Sequence, residues 1–279
     1  MALSTIIEKV NKIKDMRFID THTHPFVEEF DADRTAVIER ALAVGVRALL
    51  LPNIDLSTVA PMLSLCKQYP EHCFPMMGLH PTSVGEDYVA VLDKMASLLD
   101  GSTPFVGIGE IGMDLYWDKQ FCKQQADAFE KQLQWSIAYQ LPVSIHSRAA
   151  VQEIDAVMKR YMDTPIKGVF HCFSGNLEEA ALLLKYPNFK LGINGVVTFK
   201  NAGLAEVLPA IPLEKLVLET DAPYLSPVPF RGKRNESSYL PYILKRIAAI
   251  YHKEEEEVAS VIWNNTLAVF SLEHLAGSL

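Results

Sequence analysis

The sequence predicts a single-domain α/β protein folded as a closed (β/α)8 TIM barrel, with its active site at the C-terminal rim of the strands. Three observations carry that expectation. Short apolar, β-rich runs recur eight times. Segments with helical periodicity fill the spaces between them. The whole alternation takes about 250 residues, the usual length of such a barrel.

The apolar runs are 17–20, 46–52, 73–80, 105–110, 142–146, 167–171, 189–194 and 215–221. They are short and nearly all apolar, as parallel strands buried on both faces are. Residues 34–44, 58–69, 88–99, 123–139, 149–161, 177–186 and 204–211 carry helical periodicity between them. An open doubly wound sheet shares this alternation, but it needs a Gly-rich phosphate loop after an early strand, and none occurs there. A Pro-rich loop follows Asp221, then two helices at 238–251 and 254–270. The acids Glu254–Glu257 suit the first turn of the second, where the helix dipole favours negative charge. Residues 1–16 read as a helix-like extension to a barrel of 17–279. Ile6, Ile7, Val10 and Ile13 alternate there with Glu8, Lys9, Lys12 and Lys14, without the continuous apolar run of a signal peptide.

Composition narrows the function. Of 279 residues, 49% are apolar and 22% charged, which is ordinary for a globular protein and excludes general disorder. No apolar run approaches the ~20 residues that cross a bilayer, so no membrane role is expected. Cys66, Cys73, Cys122 and Cys172 lack metal-type spacing and are too few for a disulfide scaffold. They read as free thiols of a cytoplasmic protein. With 26 basic against 34 acidic residues the net charge is −8, which argues against coating long nucleic acid by charge alone. An enzyme taking phosphate ends into a metal site stays open, because bound cations reverse the local sign.

The apolar runs end in polar residues. The first leads into Asp20-Thr21-His22-Thr23-His24, the fourth ends at Glu110, the fifth at His146, the sixth at His171 and the eighth at Asp221. The intervals from His24 through Glu110, His146 and His171 to Asp221 are 86, 36, 25 and 50 residues, whole numbers of βα units of about 30. In a barrel all these side chains meet at one rim. His22 and His24 are two apart, so on an extended strand both rings reach one ion; Glu219 and Asp221 share a face likewise. Each residue alone has a plainer reading: a satisfied histidine, a capping acid, a turn aspartate. Together, four histidines and two carboxylates at matching strand ends are costly to bury unpaired, and a binuclear metal centre accounts for all six.

These motifs resemble the TatD family of metal-dependent hydrolases, in the amidohydrolase superfamily. The resemblance runs from Phe18 to about Leu272. It is carried by Phe18–His24, Gly78-Leu79-His80-Pro81, Gly107–Asp114, Ile145-His146-Ser147-Arg148, Phe170–Gly175, Glu219-Thr220-Asp221-Ala222-Pro223-Tyr224 and Arg231–Glu236. Ser237 departs from the pattern, since relatives usually have proline there; this is expected to affect loop stiffness more than chemistry. The segment before Met16 is often absent from relatives. The resemblance implies two divalent metal ions, zinc, manganese or magnesium. His22, His24 and Asp221 would hold the first, His146 and His171 the second, and Glu110 would bridge them. Asp221 would also be the base, and Glu110 and Asp221 the catalytic pair. Glu219 would orient a neighbouring ligand, or be a plain buried acid in an ion pair.

The activity so implied is a deoxyribonuclease trimming single-stranded DNA ends, with a metal-held hydroxide attacking phosphorus. His80 at the third strand end, Arg148 beside His146, and Arg231 with Lys233 and Arg234 are candidate substrate contacts. Their plainer readings are a structural histidine, a salt bridge to a helix acid and a solvated loop. Asp114 is expected to set the loop after Glu110. Tyr116, Trp117 and Phe173 read as rim packing, or as stacking partners for a base. Hydrolysis of an ester, amide or lactone, including aminoacyl-RNA deacylation, is the competing enzymatic reading, because carbonyl carbon accepts the same hydroxide. A metal-binding scaffold is the non-enzymatic one. No obligate protein partner is evident.

Overall fold

A computed structural model describes residues 16–101, 103–117 and 119–277. The predicted extension, Met16 apart, lies outside the described residues. The strands are β1 (Phe18–Asp20), β2 (Val46–Pro52), β3 (Cys73–Met77), β4 (Gly107–Asp114), β5 (Val143–Arg148), β6 (Gly168–Phe170), β7 (Phe189–Ile193) and β8 (Leu216–Leu218), all parallel and adjacent in chain order. Helices α1 (Arg34–Ala43), α2 (Leu56–Gln68), α3 (Tyr88–Leu99), α4 (Cys122–Tyr139), α5 (Val151–Met158), α6 (Leu177–Leu184) and α7 (Leu204–Val207) follow β1 to β7 in turn. The last two, α8 (Leu240–Tyr251) and α9 (Glu255–Phe270), follow β8.

Local chemistry sets these bounds. Asp55 caps α2 and Asn176 caps α6, each through a reciprocal capping box. The predicted helix at 204–211 stops being α-helical at Val207, because Pro209 cannot donate to the turn below it; Leu208–Ala210 tightens to a 3-10 turn. The fourth strand continues past its predicted end at Glu110 to Asp114. Gly112 permits this: a Cβ there would sit 2.1 Å from His146 O, and its φ is +128°. Gly107, Gly109 and Gly112 have the spacing of a phosphate loop, yet they lie within β4 and not in a strand-to-helix turn.

Two apolar layers hold the barrel. Outward residues such as Leu49, Leu51, Ile108, Ile145 and Leu191 pack under the helices. A second cluster joins Ile19, Leu50, Met76, Val169 and Val217 from five strands to Trp263, Leu267 and Phe270 of α9. Lys167, just before β6, fastens that helix end by donating to Ala268 O at 3.0 Å and Ser271 Oγ at 2.9 Å. Apolar plugging at the amino end leaves the carboxyl end free for polar groups.

The chain closes between β1 and β8 by backbone hydrogen bonds from Thr21 N to Leu218 O, Asp221 N to His22 O and His24 N to Ala222 O, at 2.8–3.1 Å. Asp20, fully buried, locks the seam by accepting from Thr220 N at 2.9 Å and Thr220 Oγ1 at 2.5 Å. Burial pushes its carboxyl up to about 7, against hydrogen bonds from Ser237, Thr220 and His22. Ser237 is thus more than a softer loop residue: its hydroxyl supports Asp20 and approaches Thr23 Oγ1 at 3.4 Å, which a proline could not do.

Asp20→Ala is expected to cost about 2 kcal/mol, since it leaves two buried donors of Thr220 without an acceptor. Asp20→Asn, which keeps one acceptor, is expected to cost less; urea unfolding of both variants measures the difference. A second test concerns Asp155 on α5. Burial alone would raise its carboxyl, but Lys185, Tyr186 (2.7 Å) and Lys159 (3.0 Å) outweigh that and hold it below the usual range. A carboxylate so depressed adds stability above its unfolded value near 3.9 and loses it as pH falls through its native one. Asp155→Asn is therefore expected to lower the urea midpoint at pH 7, with the gap to wild type shrinking below about pH 4.

Candidate metal centre

The strand ends bring the six predicted residues into one cluster. Glu110, on β4, lies at its middle, with its side chain 4% exposed. Its Oε2 faces His22 Nε2 at 3.1 Å and His24 Nε2 at 3.7 Å. Its Oε1 faces His146 Nδ1 and His171 Nε2, both at 2.8 Å. Asp221 closes the first group, with Oδ1 3.8 Å from His22 Nε2 and 3.7 Å from His24 Nε2. Donor atoms of His22, His24 and Asp221 lie within 4.8 Å of one another, as do those of His22, Glu110 and His171.

Contacts behind the rings decide which nitrogen faces the cluster. His24 Nδ1 lies 3.2 Å from Pro52 O, which only accepts, so Nδ1 carries the proton and the Nε2 lone pair points inward. His146 Nε2 lies 2.9 Å from Asp114 Oδ2, so its Nδ1 lone pair points inward. His22 Nδ1 is held by Ser144 Oγ at 3.0 Å. The inward nitrogens of His22 and His24 stand 3.1 Å apart, and those of His146 and His171 3.2 Å apart. Lone pairs aimed at one another and at carboxylate oxygens suit a divalent cation, with the carbonyl and carboxylate behind them fixing the tautomers.

Without a cation the carboxylates draw protons onto part of the cluster. Burial opposes ionisation of Glu110, yet the rings of His80, His171, His22 and His146 hold its carboxyl well below the usual range. Asp221 is likewise held down, by its His24 hydrogen bond and the charges of His171 and His22, against burial. Burial and the neighbouring His171 push His22 down. His171 is raised well above its usual value by Glu110 and Glu219, and His146 is raised by Asp114 and Glu110, each against burial.

Glu219 is fully buried and acts on His171 through the backbone: it accepts from Cys172 N at 2.5 Å, with His171 Nδ1 3.7 Å away. Gly192 makes room for it, because a Cβ there would meet Glu219 Oε2 at 2.1 Å. Burial pushes the Cys172 thiol up to about 12.

His80 joins the cluster, with Nε2 3.2 Å from Glu110 Oε1. Its Nδ1 accepts from Thr82 N at 3.1 Å, so in the neutral ring Nε2 bears the proton and is a donor. Burial pushes its pKa down, which keeps the ring neutral. Arg148 makes no salt bridge to a helix acid among the described residues; its guanidinium lies 4.0 Å over the Tyr116 ring. Arg231 is exposed, 3.9 Å over the Phe199 ring. Arg234 is tied to Asp33 at 2.8 Å and Glu29 O at 2.7 Å, so it braces the loop onto the β1–α1 connection. Asp114, Ser144 and Pro52 were not read as partners of the histidines. Ser144 had a signal, two residues before His146 on one strand face; Asp114 becomes legible only once β4 is known to run past Glu110.

A parallel barrel with histidines and carboxylates converging on its carboxyl rim defines a metal-dependent hydrolase. The chain belongs to the TatD related DNase family, whose model matches residues 19–271. The uncharacterized metal-dependent hydrolase YabD of Bacillus subtilis is 35% identical over 91% of this chain and 98% of its own. The 3'-5' ssDNA/RNA exonuclease TatD of Salmonella typhimurium is 33% identical over 88% and 95%. The crystal structure of YjjV, a TatD homolog from Escherichia coli, superposes with a TM-score of 0.86 at 29% identity, covering 92% of this chain and 98% of that one. Among the described residues no helix is long and apolar enough to cross a membrane.

Zinc or manganese at 100 times its dissociation constant is expected to stabilise the metal-stripped protein by about 2.7 kcal/mol. Glu110→Gln is expected to lose most of that rise in Tm. A variant whose Tm responds to metal as wild type does would remove Glu110 from the ligand set.

Proposed function

We propose that the protein is a two-metal nuclease that removes nucleotides from single-stranded ends. One observation carries this reading: the two oxygens of Glu110 are divided between two histidine sets, in each of which the group behind one ring, His24 or His146, aims its lone pair inward. His22, His24 and Asp221 are assigned to one cation, His146 and His171 to the other, and Glu110 to both. The imidazole-rich set favours zinc or manganese, with magnesium able to serve in assay. Such cations, when bound, supply an acidified water and neutralise phosphate charge.

The chain's own residues do the rest. Asp221, 13% exposed and ionised, is the proton acceptor on the open side of the cluster. Its left-handed backbone, φ +59°, turns the carboxylate back toward His22 and His24. His80, 14% exposed, offers its Nε2–H to a phosphate oxygen at the mouth. Glu219 keeps His171 in place through Cys172. Arg231 at the outer rim steers phosphate inward. The substrate class, and a 3' to 5' direction, are taken from the likeness to the Salmonella exonuclease. The four cysteines are free, which suits the reducing cytoplasm. No obligate partner is assigned.

The test is cleavage of 5'-labelled single-stranded DNA and RNA with magnesium, manganese or zinc, beside Asp221→Asn. Metal-dependent laddering from the 3' end is expected, with the variant at least ~100-fold slower while still binding metal. An intact strand in every metal, together with turnover of a carboxylic ester, would move the chemistry to carbonyl carbon.

A further inference from the structure

Tyr116 and Trp117 follow β4, and they are not packed into the rim: they are 56% and 76% exposed. Large aromatic side chains this open are held in place here by other means. The Arg148 guanidinium stacks 4.0 Å over the Tyr116 ring and 5.4 Å from the Trp117 ring. The two rings meet edge to face at 4.7 Å. Tyr116 N donates to Asp114 Oδ1 at 3.0 Å, and Leu115 N to Arg148 O at 2.9 Å. Asp114 Oδ2 accepts a hydrogen bond from His146 Nε2 at 2.9 Å. One carboxylate therefore ties this exposed stack to a histidine of the metal centre.

The spacing suits an extended strand of nucleic acid. Arg148 lies two residues beyond His146 on β5, about 7 Å at the usual strand rise. A cavity of about 190 Å³ has His171 of the metal centre and Arg148 of the stack in its lining. Ser147 Oγ, in its wall, has no hydrogen-bond partner. Flat open rings beside a guanidinium provide a π-face and a positive charge together, which is what a base and its phosphate take.

We infer that Tyr116, Trp117 and Arg148 form a stacking platform for a nucleobase of the single strand whose phosphate lies at the metal centre. This rests on the nuclease reading and adds that the enzyme grips a base as well as the backbone. A platform of this kind tolerates any base, because stacking uses the π-face and not the pairing edge.

The experiment compares kcat/KM on oligothymidylate with that on an abasic strand of equal length and charge, in manganese. Wild type is expected to prefer the strand with bases roughly 10-fold, the worth of one good stack. Trp117→Ala is expected to bring the ratio near one, while Trp117→Phe, which keeps a π-face, retains most of it; circular dichroism checks that both fold. A wild-type ratio near one, or a ratio unchanged in Trp117→Ala, overturns the platform and leaves the nuclease reading standing. Cleavage of neither strand by wild type overturns the nuclease reading, and the platform falls with it.

Discussion

The mouth of this barrel is organised by one buried carboxylate that five imidazoles surround. An ionised Glu110 without partners would cost several kcal/mol. Its neighbours cannot settle that debt by protonation alone. The rings of His22 and His171 stack at 3.8 Å, and those of His146 and His171 are 5.4 Å apart, so full protonation would crowd like charges. Full deprotonation would turn lone pairs toward carboxylate oxygens. Divalent charge held by these residues would satisfy both demands, which is why the cluster suits a metal centre better than a polar core.

That arrangement explains several features elsewhere in the chain. Gly112 lets β4 lie against β5, which brings Asp114 to the back of His146. The register of β4 shifts between Ile108 and Ile111, and Asn53 takes up the displaced backbone, donating to Gly109 O at 2.9 Å and accepting from Glu110 N at 3.0 Å. Glu110 is thus aimed by an irregular strand that its neighbours brace. Gly192 clears space for Glu219, and the Asp20–Thr220 lock fixes the seam from which His22, His24 and Asp221 all project.

Much of this was legible in residue order. Apolar runs marked every strand, and their polar ends marked the rim, because a parallel barrel must bury its strands and can carry charge only where they emerge. The H-x-H pair and Glu110 followed from the same rule. What stayed hidden depends on pairing between distant segments. The end of β4 was masked by glycines that ordinarily stop a strand. The tautomer of His24 is set by Pro52 O, a backbone atom that no side-chain motif records. The fate of Arg234 and Arg148 was hidden too: both are bases near a phosphate site in sequence, yet one braces Asp33 and the other lies on Tyr116.

Net charge has the least bearing on substrate here. The chain is acidic at −8, and the carboxylates Glu110 and Asp221 lie in the cluster at the mouth, with Glu219 and Asp114 behind its histidines. A polyanion would be repelled by that site until cations reverse its sign. On the proposed nuclease reading, binding of nucleic acid is coupled to metal loading, and affinity that does not depend on the cations must come from outside the cluster. The proposed platform at the ends of β4 and β5 would meet that need, since stacking does not oppose the acidic field as a bare phosphate contact does. A protein built this way would discriminate ends with accessible, unstacked bases from duplex ends, because only the former can present both a phosphate to the metals and a free face to Trp117.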